Sequence, residues 1–251
     1  MHEKSVGVME LTGERTMPGA PTESYWFARH QVVYRWVAGR YAVGQICGDI
    51  GSGEGFGTQL LMDAGARSVF GVELDENASV HSAINYPVSN FIRANVVALP
   101  IATHSTDLIV SLQVIEHIWD VHTYLQEMHR VLRTGGILVI STPNRPVFSP
   151  GLARKGTPLN PFHVEEFDAE QIQQQLTACE FAEITMLGLH HGARITTWER
   201  INGPIVDAMV VAATTSNWPD GLLDFVTTIT AADFVVGDPP DAQDLIAIGV
   251  K

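Results

Sequence analysis

The chain has 251 residues, 45% hydrophobic and 17% charged, with two cysteines. That length and apolar fraction suit one large domain, or a domain with a cap, and exclude a disordered chain or a disulfide scaffold. The 28 acidic residues against 15 basic ones leave a net charge of −13, which neutralises phosphate poorly and argues against a nucleic-acid partner. Residues 201 to 251 hold seven aspartates and one basic residue, Lys251, so a neutral or cationic partner suits that surface better. Cys47 and Cys179 sit in apolar runs and read as buried thiols. No run of about 18 apolar residues spans a bilayer. The first residues lack the basic-then-apolar order of a signal peptide. The expectation is a cytoplasmic protein without a membrane partner.

The predicted elements alternate. Tyr25 to Gly39 reads as an amphipathic helix with Trp26, Val33 and Val37 on one stripe. Gln45 to Ile50 reads as a buried strand and Thr58 to Ala64 as a helix. Ser68 to Glu73 is a strand, Glu76 to Asn85 a helix, and Asn90 to Arg93 a short strand. Asp107 to Ser111 is a strand, followed by a helix from Asp120 to Leu132. Gly136 to Thr142 is a strand that Pro143 stops. The next helix has a capping signal: Asp168 at the cap, Gln171 three residues on, and Phe167 placed to staple onto Ile172. Phe181 to Leu189 and Asp244 to Val250 complete seven strands. The alternation implies right-handed βαβ units and a mostly parallel sheet with helices on both faces. Residues 190–243, with Pro204, Trp218-Pro219 and Pro239-Pro240, read as a cap inserted over the strand ends before the last strand.

The sharpest motif is Asp49-Ile-Gly51-Ser52-Gly53-Glu-Gly55-Phe-Gly57, between a buried strand and a helix. Its glycines permit a tight turn and close approach of a ligand to the backbone. A dinucleotide fingerprint fails in both registers, with Phe56 or Thr58 at the final glycine position, and no Walker lysine follows. Glu73 ends the second strand 22 residues beyond Gly51, the spacing of a ribose-binding acid. Gln113-Val-Ile-Glu116-His117 follows the fourth strand directly, which in a parallel sheet opens on the carboxyl-end crevice. His163 lies in the long loop after the fifth strand, and His190-His191 after the sixth, on the same side.

With Leu99-Pro100, Asp107-Leu-Ile-Val-Ser111, Arg130-Val-Leu-Arg-Thr-Gly-Gly136 and Ser141-Thr-Pro-Asn144, these motifs resemble the class I S-adenosylmethionine-dependent methyltransferases over most of residues 25 to 190. The resemblance implies a Rossmann-like α/β fold. It divides the chain into an N-terminal lid helix region (1–44), a cofactor-binding core (45–189), a substrate cap (190–243) and the last core strand (244–251). It implies S-adenosylmethionine bound by Asp49, Gly51, Ser52, Gly53, Glu73, Leu74, Asn95, Val96 and Gln113, with Leu74 against the adenine and Asn95 on its amino group. Arg29, on the lid helix, is a candidate for the cofactor carboxylate, as is His30 beside it.

Methyl transfer to an aliphatic hydroxyl needs a base, or a metal that lowers the hydroxyl pKa. Glu116, His117 and His163 are the candidates: Glu116 and His117 as metal ligands with His163, or His117 as the base. Some family members hold magnesium through Glu-x-x-Glu-His and a later His. Here Gln113 replaces the first acid, a weaker ligand for a hard cation.

Further stretches resemble a narrower actinobacterial group of sugar methyltransferases associated with methylmannose polysaccharide. They are Thr12-Gly-Glu-Arg15-Thr-Met-Pro18, Tyr25-Trp-Phe-Ala-Arg29-His30-Gln-Val-Val-Tyr34, Asn160-Pro-Phe-His163, Gly188-Leu-His-His-Gly192 and Asp244-Leu-Ile-Ala-Ile248. That resemblance implies O-methylation of a small, partly methylated mannoside at its reducing-end hydroxyl, with Mg²⁺. Tyr25, Trp26, Trp119, His190 and His191 are then candidate substrate contacts. A homodimer is an expectation with no residue assigned to it. The rival readings are a quinone, phenol or lipid acceptor, and a non-catalytic binding protein on the same fold.

Overall fold

The computed structural model describes Thr16, residues 18–219 and residues 221–251. The Thr12–Arg15 stretch therefore lies outside the described residues, as does most of the 1–44 region before the first helix. That helix is α1 (Ser24–Val37), which ends in a wider, π-type turn at Ala38–Ala42. There follow β1 (Ile46–Ile50), α2 (Phe56–Asp63), β2 (Ser68–Glu73), α3 (Glu76–Asn85), β3 (Asn90–Arg93), β4 (Thr106–Leu112), α4 (Val121–Val131) and β5 (Leu132–Pro143). Next come a one-turn α5 (Arg145–Phe148), α6 (Ala169–Ala178) and β6 (Ala182–His191). Then α7 (Ala193–Asn202), α8 (Ile205–Thr215), α9 (Leu222–Thr227) and β7 (Phe234–Gly237) precede β8 (Asp244–Val250).

The strands form one sheet in the order β3-β2-β1-β4-β5-β8-β6-β7. The pairs from β3 to β5 are parallel, whereas β8 runs antiparallel between β5 and β6, and β7 is antiparallel to β6. The sheet thus has eight strands rather than the expected seven. The extra one, β7, has four residues, Phe234–Gly237. A run that short has no period to read against a loop.

Side chains alternate across β8 and show both layers. Ile246 and Ile248 face one core with Tyr25, Val33 and Val37 of α1, Leu61 of α2, and Ile195, Ile205, Met209, Leu222 and Val226 from α7 to α9. Leu245 and Ala247 face the other, with Tyr124, Leu125 and Met128 of α4 and Ile172 and Leu176 of α6. Each such side chain, fully buried, contributes about 1.5–3 kcal/mol. Tyr25 takes the buried stripe of α1, and Trp26 is only partly buried against that core. The segment 190–243 joins the same core. Its helices α7 to α9 bury Ile195, Ile205, Met209, Leu222 and Val226 there with α1.

At α6 the local signals hold. Asp168 accepts from the Gln171 N–H, the Gln171 side chain accepts from the Asp168 N–H, and Phe167 and Ile172 bury in one core. Strand order reverses around β1, with β2 on one side and β4 on the other, which opens a crevice at their carboxyl ends. No helix among the described residues is long and apolar enough to cross a membrane.

Candidate active site

The crevice is a cleft of about 730 Å³. Its floor is the turn after β1, where Gly51, Gly53 and Gly55 all have left-handed φ. A Cβ on Gly51 would lie 2.4 Å from Val114 Cγ2, so only glycine fits there. Gly53 has no atom within 4 Å of where its Cβ would be, so its backbone faces open space in the cleft. Beside it, the buried Ser52 Oγ has no partner among the described residues.

Glu73, at the end of β2, lines the cleft and accepts from the Gly53 N–H (3.0 Å) and the Asp75 N–H (2.9 Å). Its carboxylate is thereby fixed at the cleft wall, in reach of a vicinal diol. Leu74, Asn95 and Val96 continue that wall. The Asn95 Oδ1 accepts from the Val97 N–H (3.1 Å), which fixes the amide. Asp49 is placed differently from its neighbours in the motif. It is fully buried behind the turn, accepts from Tyr34 OH (2.8 Å) and Thr58 OH (2.7 Å), and does not line the cleft. Burial pushes its pKa up to about 6 despite both hydrogen bonds.

On the other side of the turn, Gln113 lines the cleft with a left-handed φ of 56°. Arg29 does not line it. Arg29 is 3% exposed and forms a two-point ion pair with Asp244. His30 takes the cleft-facing place on α1 instead. Its Nδ1–H donates to the Trp26 carbonyl (2.7 Å), and burial lowers its pKa, so Nε2 keeps its lone pair.

Beyond Gln113 the chain turns through Ile115–His117 and brings three groups together. Glu116, His117 and His163 each offer a ligand atom, and these atoms lie within 4.8 Å of one another. Glu116 is 1% exposed, accepts from Thr142 OH (3.0 Å), and has its pKa raised by burial to about 7. His117 lines the cleft, and its Nδ1 faces the Phe162 carbonyl at 3.0 Å. A carbonyl only accepts, so Nδ1 carries a proton. His163 stands edge-on to His117, with Nδ1 on the Glu166 carboxylate (2.8 Å) and Nε2 facing the Asn160 amide (2.9 Å). The sequence motifs assign no role to Glu166 or to Thr142. For Glu166 the His-x-x-Glu spacing was there to be read, whereas Thr142 meets Glu116 only across the sheet.

Tyr25 is fully buried, its OH 2.7 Å from His191 Nε2, and His191 Nδ1 meets Glu199 Oε2 at 2.9 Å. His190 Nε2 meets the Asp238 carbonyl at 2.7 Å. Strand β6 runs on through both histidines and pairs them with β7, which holds them in the sheet. Trp26 packs edge-on against Tyr25, and Trp119 is 89% exposed. None of these five lines the cleft.

A glycine turn after β1, an acid ending β2 and a crevice at the β1–β4 switch point are the parts of an S-adenosylmethionine site. The open space over Gly53 and the fixed Glu73 carboxylate fit that cofactor's amino-acid chain and ribose. The chain belongs to the S-adenosylmethionine-dependent methyltransferases. Residues 48–140 match the methyltransferase domain family. A probable S-adenosylmethionine-dependent methyltransferase of Mycobacterium tuberculosis is 41% identical, covering 98% of this chain and 91% of its own. One from Mycolicibacterium smegmatis is 40% identical over 97% and 95%. An S-adenosylmethionine-dependent methyltransferase of Thermotoga maritima shares the fold, with a TM-score of 0.63, 15% identity, and coverage of 90% and 93%.

Proposed function

We propose that this methyltransferase acts on a hydroxyl oxygen of a small, partly methylated saccharide. The acceptor would be a mannoside, methylated at its reducing-end hydroxyl during synthesis of a polymethylated polysaccharide. The observation that carries the O-methyl reading is the Glu116–His117–His163 cluster beside the cofactor cleft. The cofactor supplies a methyl group already activated on a sulfonium. The chain must then hold the acceptor oxygen in line and take one proton.

We read His117 as the group that takes that proton, its ring oriented by the Phe162 carbonyl at Nδ1. Glu116 and Thr142 hold the turn that carries His117. The same three side chains would also hold a divalent cation, which would lower the hydroxyl pKa at that spot. One carboxylate and two imidazoles suit Mn²⁺ or Zn²⁺ better than Mg²⁺, which prefers oxygen ligands. Phe162, an exposed apolar group, forms part of the rim of the cleft. Such a rim suits a sugar whose hydroxyls are partly methyl ethers. The sequence resemblance to the methylmannose group supports the same acceptor.

The test is methyl uptake from labelled cofactor onto short mannosides and glucosides, free and partly methylated, and onto catechol and a quinol, with and without chelator. Uptake onto a partly methylated mannoside is expected. Uptake confined to the phenols or quinol would replace this acceptor with the aromatic one. Loss on chelation, restored by one divalent ion, would assign the cluster to a metal, and full activity in chelator would assign His117 as the base.

A further inference from the structure

Gln113 lies at the edge of the cofactor cleft with its backbone locked: the Gln113 N–H donates to the Ser141 carbonyl at 2.8 Å. Its side-chain amide is locked as well. Nε2 lies 3.2 Å from Ser141 Oγ and 3.2 Å from Asp244 Oδ1. An amide has two N–H donors at one end and an acceptor oxygen at the other. The Asp244 carboxylate only accepts, so it dictates which end it faces. Turned round, the amide would press Oε1 against a carboxylate oxygen.

Asp244 opens β8 and is 1% exposed. Arg29 of α1 holds it through Nε at 2.5 Å from Oδ2 and through the second guanidinium nitrogen on Oδ1. Arg29 is packed over the Trp26 and Phe148 rings. The pair thus joins residues 215 apart in sequence, and it stands directly behind a cleft-lining side chain.

We infer that the buried Arg29–Asp244 pair is a positioning device: it fixes the Gln113 amide so that its oxygen, not its nitrogen, faces the amino-acid end of the cofactor, where it accepts from the α-ammonium. The topology supports this placement. Glu73 on β2 takes the ribose side, Gln113 after β4 lies across the β1 turn from it, and the cofactor's amino-acid chain is the part that extends away from the ribose. Of its two charged groups only the ammonium donates. This inference rests on the cofactor class and is independent of the acceptor.

The test is calorimetric titration with S-adenosylhomocysteine and, separately, with methylthioadenosine, which lacks the amino-acid end. The double variant Arg29→Met with Asp244→Leu removes both buried charges, a replacement that folded proteins commonly tolerate. It is expected to weaken S-adenosylhomocysteine about tenfold, the scale of one hydrogen bond to a charged group, and to leave methylthioadenosine within about twofold. In a Gln113→Leu background the same two substitutions should add less than about twofold, because the pair acts through Gln113. Should that double variant not fold, Arg29→Gln with Asp244→Asn keeps the side-chain shapes, leaves no unpaired buried charge, and should show the same selective loss, a few-fold in size. Unchanged S-adenosylhomocysteine affinity, an equal loss for methylthioadenosine, or additive effects would each overturn the inference and leave the pair as a simple strut.

Discussion

A carboxyl group that is 1% exposed and has one hydroxyl donor is poorly placed to ionise. Glu116 is such a group, with its pKa lifted by burial from an ordinary 4.5 to about 7. Between those values the folded chain holds a proton that the unfolded chain releases. Stability therefore falls as pH rises through this window. The contribution is on the order of 3 kcal/mol. Asp49, raised to about 6 by burial, acts with the same sign. The Tm of the ligand-free protein is expected to decline from pH 5 to pH 8. Glu116→Gln should remove a large part of that decline, and a slope identical to the wild type would reject the buried-carboxyl account. Glu73 acts differently. It already ties Gly53 and Asp75 together across the cleft mouth. Glu73→Ala should raise the Kd for S-adenosylhomocysteine at least tenfold, read by calorimetry, with a smaller change in turnover at saturating cofactor.

Between α1 and α2 the contact is set by what a glycine leaves out. A Cβ on Gly57 would sit 2.2 Å from the Tyr34 ring. Tyr34 cannot easily yield, because its OH is bound to the buried Asp49. Gly57→Ala would ordinarily favour a helix. Here it is expected to cost about 1–3 kcal/mol, the range for forced overpacking, in urea denaturation. Helix α6 offers the opposite case, where the control is local. Asp168→Ala should cost about 1 kcal/mol for the lost cap, and more again because it strands the buried Arg145 guanidinium. This difference explains what could be read in advance. The α6 cap, the Glu73 strand end and the glycine turn depend on neighbours a few residues away. The Arg29–Asp244–Gln113 set and the Thr142–Glu116 bond join distant segments, and no spacing in the chain announces them. Arg29 was legible as a charged group on the lid helix, but its partner was not.

At the scale of the molecule, the inserted helices bear on the fold itself. Ile195, Ile205, Met209, Leu222 and Val226 complete the core that Tyr25, Val33 and Val37 begin. Replacing residues 193–230 by a short Gly-Ser linker should therefore expose one face of the sheet. The expected result is dye binding and loss of cooperative melting, whereas a dispensable cap would leave the melting transition intact. The insert also ends in β7, which pairs with β6 and holds His190 and His191 in the sheet. Neither histidine lines the cleft.

The amino-acid order alone determined the alternating α/β plan, the strand that bears the glycine turn, the acid that follows it, and the cluster of Glu116, His117 and His163. Each follows from short-range periodicity, from turn chemistry, or from the rule that parallel strands share one open end. Tertiary structure decided the eighth strand, the burial of Asp49 and Arg29, the place of the insert on a sheet face, and the direction in which Gln113 presents its amide. Those depend on which apolar faces meet and which charges are sealed between them, and such pairings exist only once the chain has closed on itself.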